Sequence, residues 1–169
     1  ILEMDNETGL PKEENSYGKL LTGGGVRIEA SYMQYIPETG YYYLYTTFGG
    51  LDAIGGYNMR ISRSKNPDGP FVDISGQNMI DAKGRPGIPF DDEAIEPYGL
   101  KLNGNFRFSN LNAVENYPVY GYVSPGHNSS YYDSDTGEHF SLFHTRFPHR
   151  GEEHEVRVHL MPMNKDGWP

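Results

Sequence analysis

The chain has 169 residues, 23 acidic against 14 basic, and a formal net charge of −9. That length suffices for one domain with a core of its own, and that charge argues against nucleic acid as a partner and for a neutral or modestly charged ligand. The absence of cysteine excludes disulfides and thiolate metal sites, and no apolar run approaches the roughly 18 residues of a membrane span.

Twenty-one glycines, 12 prolines, 14 tyrosines and 8 phenylalanines predict short strands joined by many turns, an all-β fold. Residues 1–25 read as irregular, with a turn at Asn6-Glu7-Thr8-Gly9 and a bend at Thr22-Gly23-Gly24-Gly25. A strand is predicted over Ser31–Ile36, a turn at Pro37-Glu38-Thr39-Gly40, and a strand over Tyr41–Phe48, which is almost wholly aromatic or β-branched. Gly49-Gly50 ends it. A third strand follows over Tyr57–Ser64, a turn over residues 66–70, and a short fourth element at Phe71 and Val72, giving a four-stranded meander.

Residues 73–95 are rich in Gly, Pro and Asp and read as loop. Tyr98–Leu102 and Asn105–Phe108 are expected to form a small hairpin around Asn103-Gly104, a favoured type I′ pair. After a weakly patterned stretch over 110–118, a short strand is predicted at Ser130–Tyr132, a turn at Asp133-Ser134-Asp135-Thr136-Gly137, a strand over Glu138–Arg146, a loop at Gly151–Glu153 and a strand over Glu155–Met163.

The second half thus returns to the pattern of the first. Thr39-Gly40 followed by YYYLYTTF matches Thr136-Gly137 followed by EHFSLFHTRF, 97 residues later. Glu29 lies ten residues before Thr39, and His127 nine before Thr136, both at the start of a first strand. Repeated four-stranded units point to a β-propeller, with a sandwich as the alternative. On a propeller's innermost strands, Glu29 and His127 would share one central cavity.

The stretches GYYYLYTTFGG, GGYNMRISRSKNPDGPFVD and SPGHNSSYYDSDTGEHFSLFHTRFPHRGEEHEVRVHLMPMNKDGWP resemble glycoside hydrolase family 43, in particular its larger two-domain endo-α-1,5-L-arabinanases. The resemblance covers residues 26–169. It implies a five-bladed β-propeller of which this chain holds part, from about the third blade onward, and hydrolysis of arabinan with inversion. It also implies three carboxylates: an aspartate base, an aspartate that tunes the acid, and a glutamate acid. The acid motif matches Arg27-Ile28-Glu29-Ala30, departing from the family at Ala30 and Ser31, so Glu29 is the expected general acid. A calcium ion is implied at the channel centre, with a histidine of a Pro-Gly-His-Asn motif close by. That motif matches Pro125-Gly126-His127-Asn128, making His127 the expected metal neighbour.

The base and the tuning aspartate are expected outside the chain, together with the remaining blades and any C-terminal domain. Residues 1–169 then form a partial catalytic domain that is not stable without its other half, present as another chain or segment. The first residue is Ile1 and no signal peptide is visible, which fits a piece of something longer or a processed product. The enzyme itself is expected to be secreted.

Among other candidates, His144 and Arg146 follow the inner strand and are expected either to reach substrate hydroxyls or to be structural. Phe48 is read either as a sugar-stacking wall or as core packing, and Gly49 and Gly50 as allowing loop backbone near the channel. Glu96, in Ile95-Glu96-Pro97-Tyr98, mimics the acid motif but lacks the aromatic strand after it. Asp133, Asp135 and Gly137 mimic a calcium loop, but its twelfth position is His144, so a hairpin turn is expected. His154-Glu155 fails the zinc-protease spacing because the next histidine is His159. The competing functions are another family 43 activity (β-xylosidase, α-L-arabinofuranosidase or galactanase), a non-catalytic carbohydrate-binding propeller, and a purely structural half.

Overall fold

The computed structural model describes residues 1–23, 28–51, 56–83, 98–104, 122–147 and 153–169. They form two antiparallel sheets. The first has strands β1 (Ile28–Ile36), β2 (Tyr41–Phe48), β3 (Asn58–Ser64) and β4 (Leu100–Gly104), in that order. The second has β5 (Val123–Asp133), β6 (Glu138–Arg146) and β7 (His154–Leu160), also in chain order. The aromatic run Tyr41–Phe48 and its counterpart Glu138–Arg146 are strands over the span that their composition predicts. Both tight turns before them use a left-handed glycine, Gly40 at φ 64° and Gly137 at φ 73°. Asp133 accepts the amide of Asp135 at 2.9 Å, so the calcium-loop mimic is the expected hairpin turn.

Two strand expectations are corrected. The fourth strand of the first sheet is not Phe71–Val72, where Val72 only bridges Arg63 and Asn78. It is Leu100–Gly104, paired along β3. Asn103 and Gly104 therefore sit inside a strand rather than at a hairpin tip, opposite Met59 and Asn58. Gly104 suits that place because a Cβ there would lie 2.7 Å from the Cβ of Asn58. The other arm of the expected hairpin, Asn105–Phe108, lies outside the described residues, as does residues 84–97 with Glu96. β5 is also longer than expected, because it starts at Val123 and passes through two register irregularities.

Alternation divides β2 between two cores. Tyr43 and Tyr45 join Ile36, Ile61, Met161 and Trp168 in one, while Leu44 and Phe48 join Phe71 and Met79 in the other. The chain's last residues close the first core: the Tyr43 hydroxyl donates to the Gly167 carbonyl at 2.7 Å. The Arg63 guanidinium lies 4.2 Å from the rings of both Tyr41 and Trp168. The Arg60 side chain is buried. It bonds Asn58 through Nε at 2.8 Å and the Tyr98 carbonyl at 3.0 Å, which ties residues 98–99 to β3.

The internal repeat is visible as register. On β1 and β2, Glu29 pairs with Thr47, a bulge follows, and Tyr32 pairs with Tyr45. On β5 and β6, Gly126 pairs with His144, a bulge follows, and Ser129 pairs with Leu142. Every position is displaced by the same 97 residues as Thr39 and Thr136. The counterpart of Glu29 is therefore Gly126, and that of His127 is Ala30, one residue from the equivalence expected of the sequence. Ala30 and His127 share the left-handed backbone of the bulge, at φ 49° and 50°.

The repeat also relates two faces. Tyr43, Tyr45 and Thr47 turn from β2 toward the second sheet, where Thr47 Oγ1 donates to Asn128 Oδ1 at 3.0 Å and accepts the His127 amide at 3.1 Å. Their counterparts on β6 are Phe140, Leu142 and His144, opposite Leu160, Val158 and Val156 of β7. Val156 is 72% exposed and Val158 57% exposed. Among the described residues, the face that is covered in the first sheet is thus only partly covered on β6 and exposed on β7.

Candidate active site

Glu29 lies at the mouth of β1 because the strand pairs normally there, Glu29 against Thr47, before the bulge that begins at Ala30. Its side chain shares the face of Thr47, the side turned to the second sheet, and is exposed. The Tyr57 hydroxyl donates a hydrogen bond to Glu29 Oε1. Tyr57 itself is 1% exposed. Burial, then the hydrogen bond to Glu29 and its negative charge, push the phenol well above its ordinary value, so the hydroxyl keeps its proton as the donor.

The second sheet brings imidazoles to the same place. The His144 ring stacks on Tyr57 with centroids 6.0 Å apart, and lies 6.3 Å from His127 and 4.5 Å from His154. Burial, then repulsion from His154 and His127, holds His144 below its ordinary value, while Glu29 pulls the other way. The neutral ring is favoured. Its Nδ1 is buried and has no hydrogen-bond partner among the described residues. Gly126 makes this approach possible: a Cβ there would lie 2.1 Å from Tyr57 Cε1 and 2.6 Å from Thr47 Cγ2.

Glu29 and His127 therefore lie about one cluster, from non-equivalent positions, and His144 lies beside both His127 and Tyr57. Arg146 also borders it, and its Nη2 donates to the Leu51 carbonyl at 2.8 Å and to Ser124 Oγ at 3.3 Å. Ser124 Oγ donates to the same carbonyl at 2.8 Å. Arg146 thereby fixes the backbone just after Gly49 (φ 86°) and Gly50, which bridges to Gly56. Phe48 is different. It is wholly buried on the opposite face of β2, against Leu44, Phe71 and Met79, so of its two readings the structure places it in core packing. Arg27 lies outside the described residues.

Sequence reasoning missed Tyr57 and the steric role of Gly126. Tyr57 was legible only as the first residue of a strand, and Gly126 only as part of a motif. Hollows of about 680 and 820 Å³ lie elsewhere, along the N-terminal arm near Tyr17, Leu20 and Met33, and near Glu3, Lys12 and Pro67. Neither is lined by Glu29, Tyr57, His127, His144 or Arg146.

As for a metal, no group of three or more His, Cys, Asp or Glu side chains suited to an ion occurs among the described residues. Calcium prefers oxygen donors. The exposed side chain of His127 would serve it through bound water, whereas the Nδ1 of His144 is too deeply buried to meet one.

The chain is 58% identical over 170 residues to an extracellular endo-α-(1→5)-L-arabinanase of Bacillus subtilis, covering 100% of this chain and 35% of the relative. It is 50% identical over 169 residues to the corresponding extracellular enzyme of Thermotoga petrophila, covering 99% of this chain and 34% of the relative. The crystal structure of the family 43 glycoside hydrolase YxiA from Bacillus licheniformis superposes with a TM-score of 0.83 at 60% identity, over 99% of this chain and 36% of that one. The chain is homologous to glycoside hydrolase family 43 arabinanases. No family model matches it. It spans about a third of the length of these relatives.

Proposed function

We propose that this chain supplies the general acid of a secreted, inverting endo-α-1,5-L-arabinanase, and that the acid is Glu29. The observation that carries the reading is an exposed carboxylate at a bulged strand mouth, hydrogen-bonded by a buried tyrosine and faced by a half-buried neutral histidine. The names of the two curated relatives support the substrate, the endo mode and the extracellular location. Glu29 protonates the leaving arabinosyl oxygen as the glycosidic bond breaks. A second carboxylate, an aspartate outside these 169 residues, takes a proton from the attacking water. Inversion requires the two to stand about 6.5–9.5 Å apart, leaving room for that water.

The proposed architecture is a five-bladed propeller closed by blades beyond this chain. The exposed face of Val156, Val158 and Leu160 supports it, since its counterpart on the first sheet is covered by a neighbouring sheet. A calcium ion beside His127, held through water, belongs to the same proposal and would contribute positive charge to the channel floor. His127 would hold and orient those waters.

The test is reducing-sugar release from linear α-1,5-arabinan by the full-length enzyme and its Glu29→Gln variant. General acid catalysis is worth about 10²–10⁴-fold, so the variant is expected to lose activity by at least about 100-fold while still folding. A Glu29→Gln enzyme with near-parental activity overturns the assignment. The product profile separates endo-arabinanase action from the other family 43 activities.

A further inference from the structure

Resting on the reading of Glu29 as the acid, we infer that Tyr57 is its positioning residue: its hydroxyl occupies Oε1 and leaves Oε2 as the oxygen that delivers the proton. A carboxyl group that swings freely presents either oxygen at any angle. Here one oxygen is engaged by a donor whose own position is fixed on several sides.

Tyr57 precedes β3, on the far side of β2 from Glu29, and reaches across the end of that strand. Its ring is almost wholly buried. The second sheet presses on it at Gly126, where even one added carbon would meet Cε1 at 2.1 Å. His144 stacks on it at 6.0 Å with the planes 22° apart. The ring is therefore held where its hydroxyl oxygen stays beside Glu29. Glu29 is the charged group acting on Tyr57, and the titratable groups acting on the His144 ring stacked against it come from both sheets: Glu29 on β1, His127 on β5, Arg146 on β6 and His154 on β7.

The chemistry gives this bond a direction. In the reaction the proton on Oε2 passes to the glycosidic oxygen, which keeps the electron pair of the breaking C–O bond. Glu29 is left as a carboxylate. A hydrogen bond to an ionised acceptor is stronger than one to a neutral acceptor. The Tyr57 bond therefore strengthens as the proton departs, and an interaction that grows toward the transition state raises kcat rather than merely tightening binding. The hydroxyl transfers nothing itself, so Tyr57 acts through Glu29.

The test compares the parent full-length enzyme with Tyr57→Phe and Glu29→Gln on two substrates. One is linear arabinan. The other is an arabino-oligosaccharide carrying a dinitrophenolate leaving group, which departs without a proton. Tyr57→Phe keeps the buried ring. It is expected to lower kcat on arabinan roughly 10- to 100-fold, from the value of a hydrogen bond to a charged group. KM is expected to stay within about twofold, with little loss on the dinitrophenyl substrate. Glu29→Gln should show the same split more severely. Equal losses of Tyr57→Phe on both substrates would mean that the hydroxyl only supports the fold, and would overturn the inference. So would parental activity of Tyr57→Phe on arabinan alongside a Glu29→Gln enzyme that has lost it, with the acid assignment left standing. If Glu29→Gln retains arabinan hydrolysis, the acid reading fails first and the inference with it.

Discussion

Replacing Gly126 with alanine isolates the contact on which the site is built. The added Cβ would lie 2.1 Å from Tyr57 Cε1, 2.8 Å from Tyr57 Cδ1 and 2.6 Å from Thr47 Cγ2. Ordinary contact begins at 3.4 Å, so the ring or the β5 backbone must retreat by more than an ångström. Gly126 is not among the glycines with left-handed backbone, so the penalty comes from space rather than from conformation. Overpacking of this kind costs about 1–3 kcal/mol. Denaturant unfolding of the full-length enzyme should show that loss for Gly126→Ala. In a Tyr57→Ala background the two closest ring contacts vanish, and the alanine should cost at least about 1 kcal/mol less, a coupling within the range seen for residues in contact. The 2.6 Å contact with the Thr47 methyl remains, and Thr47→Ser should relieve it while keeping the hydroxyl that holds Asn128. An equal cost of Gly126→Ala in both tyrosine backgrounds would refute the steric argument.

Phe48→Ala should destabilise the enzyme by about 3–5 kcal/mol, the range for emptying a buried phenylalanine site, because Phe48 is wholly buried with Leu44, Phe71 and Met79. A raised KM for arabinan with unchanged stability would instead restore its role as a sugar wall. His139 should make stability pH-dependent. Burial holds it below its ordinary value of 6.5, with Glu38 partly opposing. The unfolded chain then takes up a proton that the folded chain refuses, so stability falls as pH drops through 6.5 toward the lowered value and levels off beneath it. His139→Phe keeps the 4.7 Å stacking on Tyr132 and should flatten that part of a stability–pH curve. An unchanged slope would assign the acid sensitivity elsewhere.

Much of the fold was legible locally. Tyr41–Phe48 and Glu138–Arg146 declare themselves as strands because β-branched and aromatic residues favour a pleated, half-buried backbone. The turns before them are written in Thr-Gly pairs whose glycines take the left-handed conformation. Glu29 and His127 stood out because a repeat places each near the start of a first strand. The bulge was not legible. It shifts the register of β1 on β2 and of β5 on β6 in the same way and turns Ala30 and His127 left-handed, and the matched pairs on either side of it make Gly126, not His127, the counterpart of Glu29.

The sequence by itself determined the all-β class, the repeat and the carboxylate at its mouth, because each of these depends on neighbours a few residues away. Only the tertiary structure decided what surrounds that carboxylate. Which face Phe48 takes, which strand pairs with β3, and which ring reaches Glu29 depend on contacts between residues tens of positions apart, such as Gly126 against Tyr57. A local pattern fixes the period of a strand, but the partner of each face is set by how the two sheets pack.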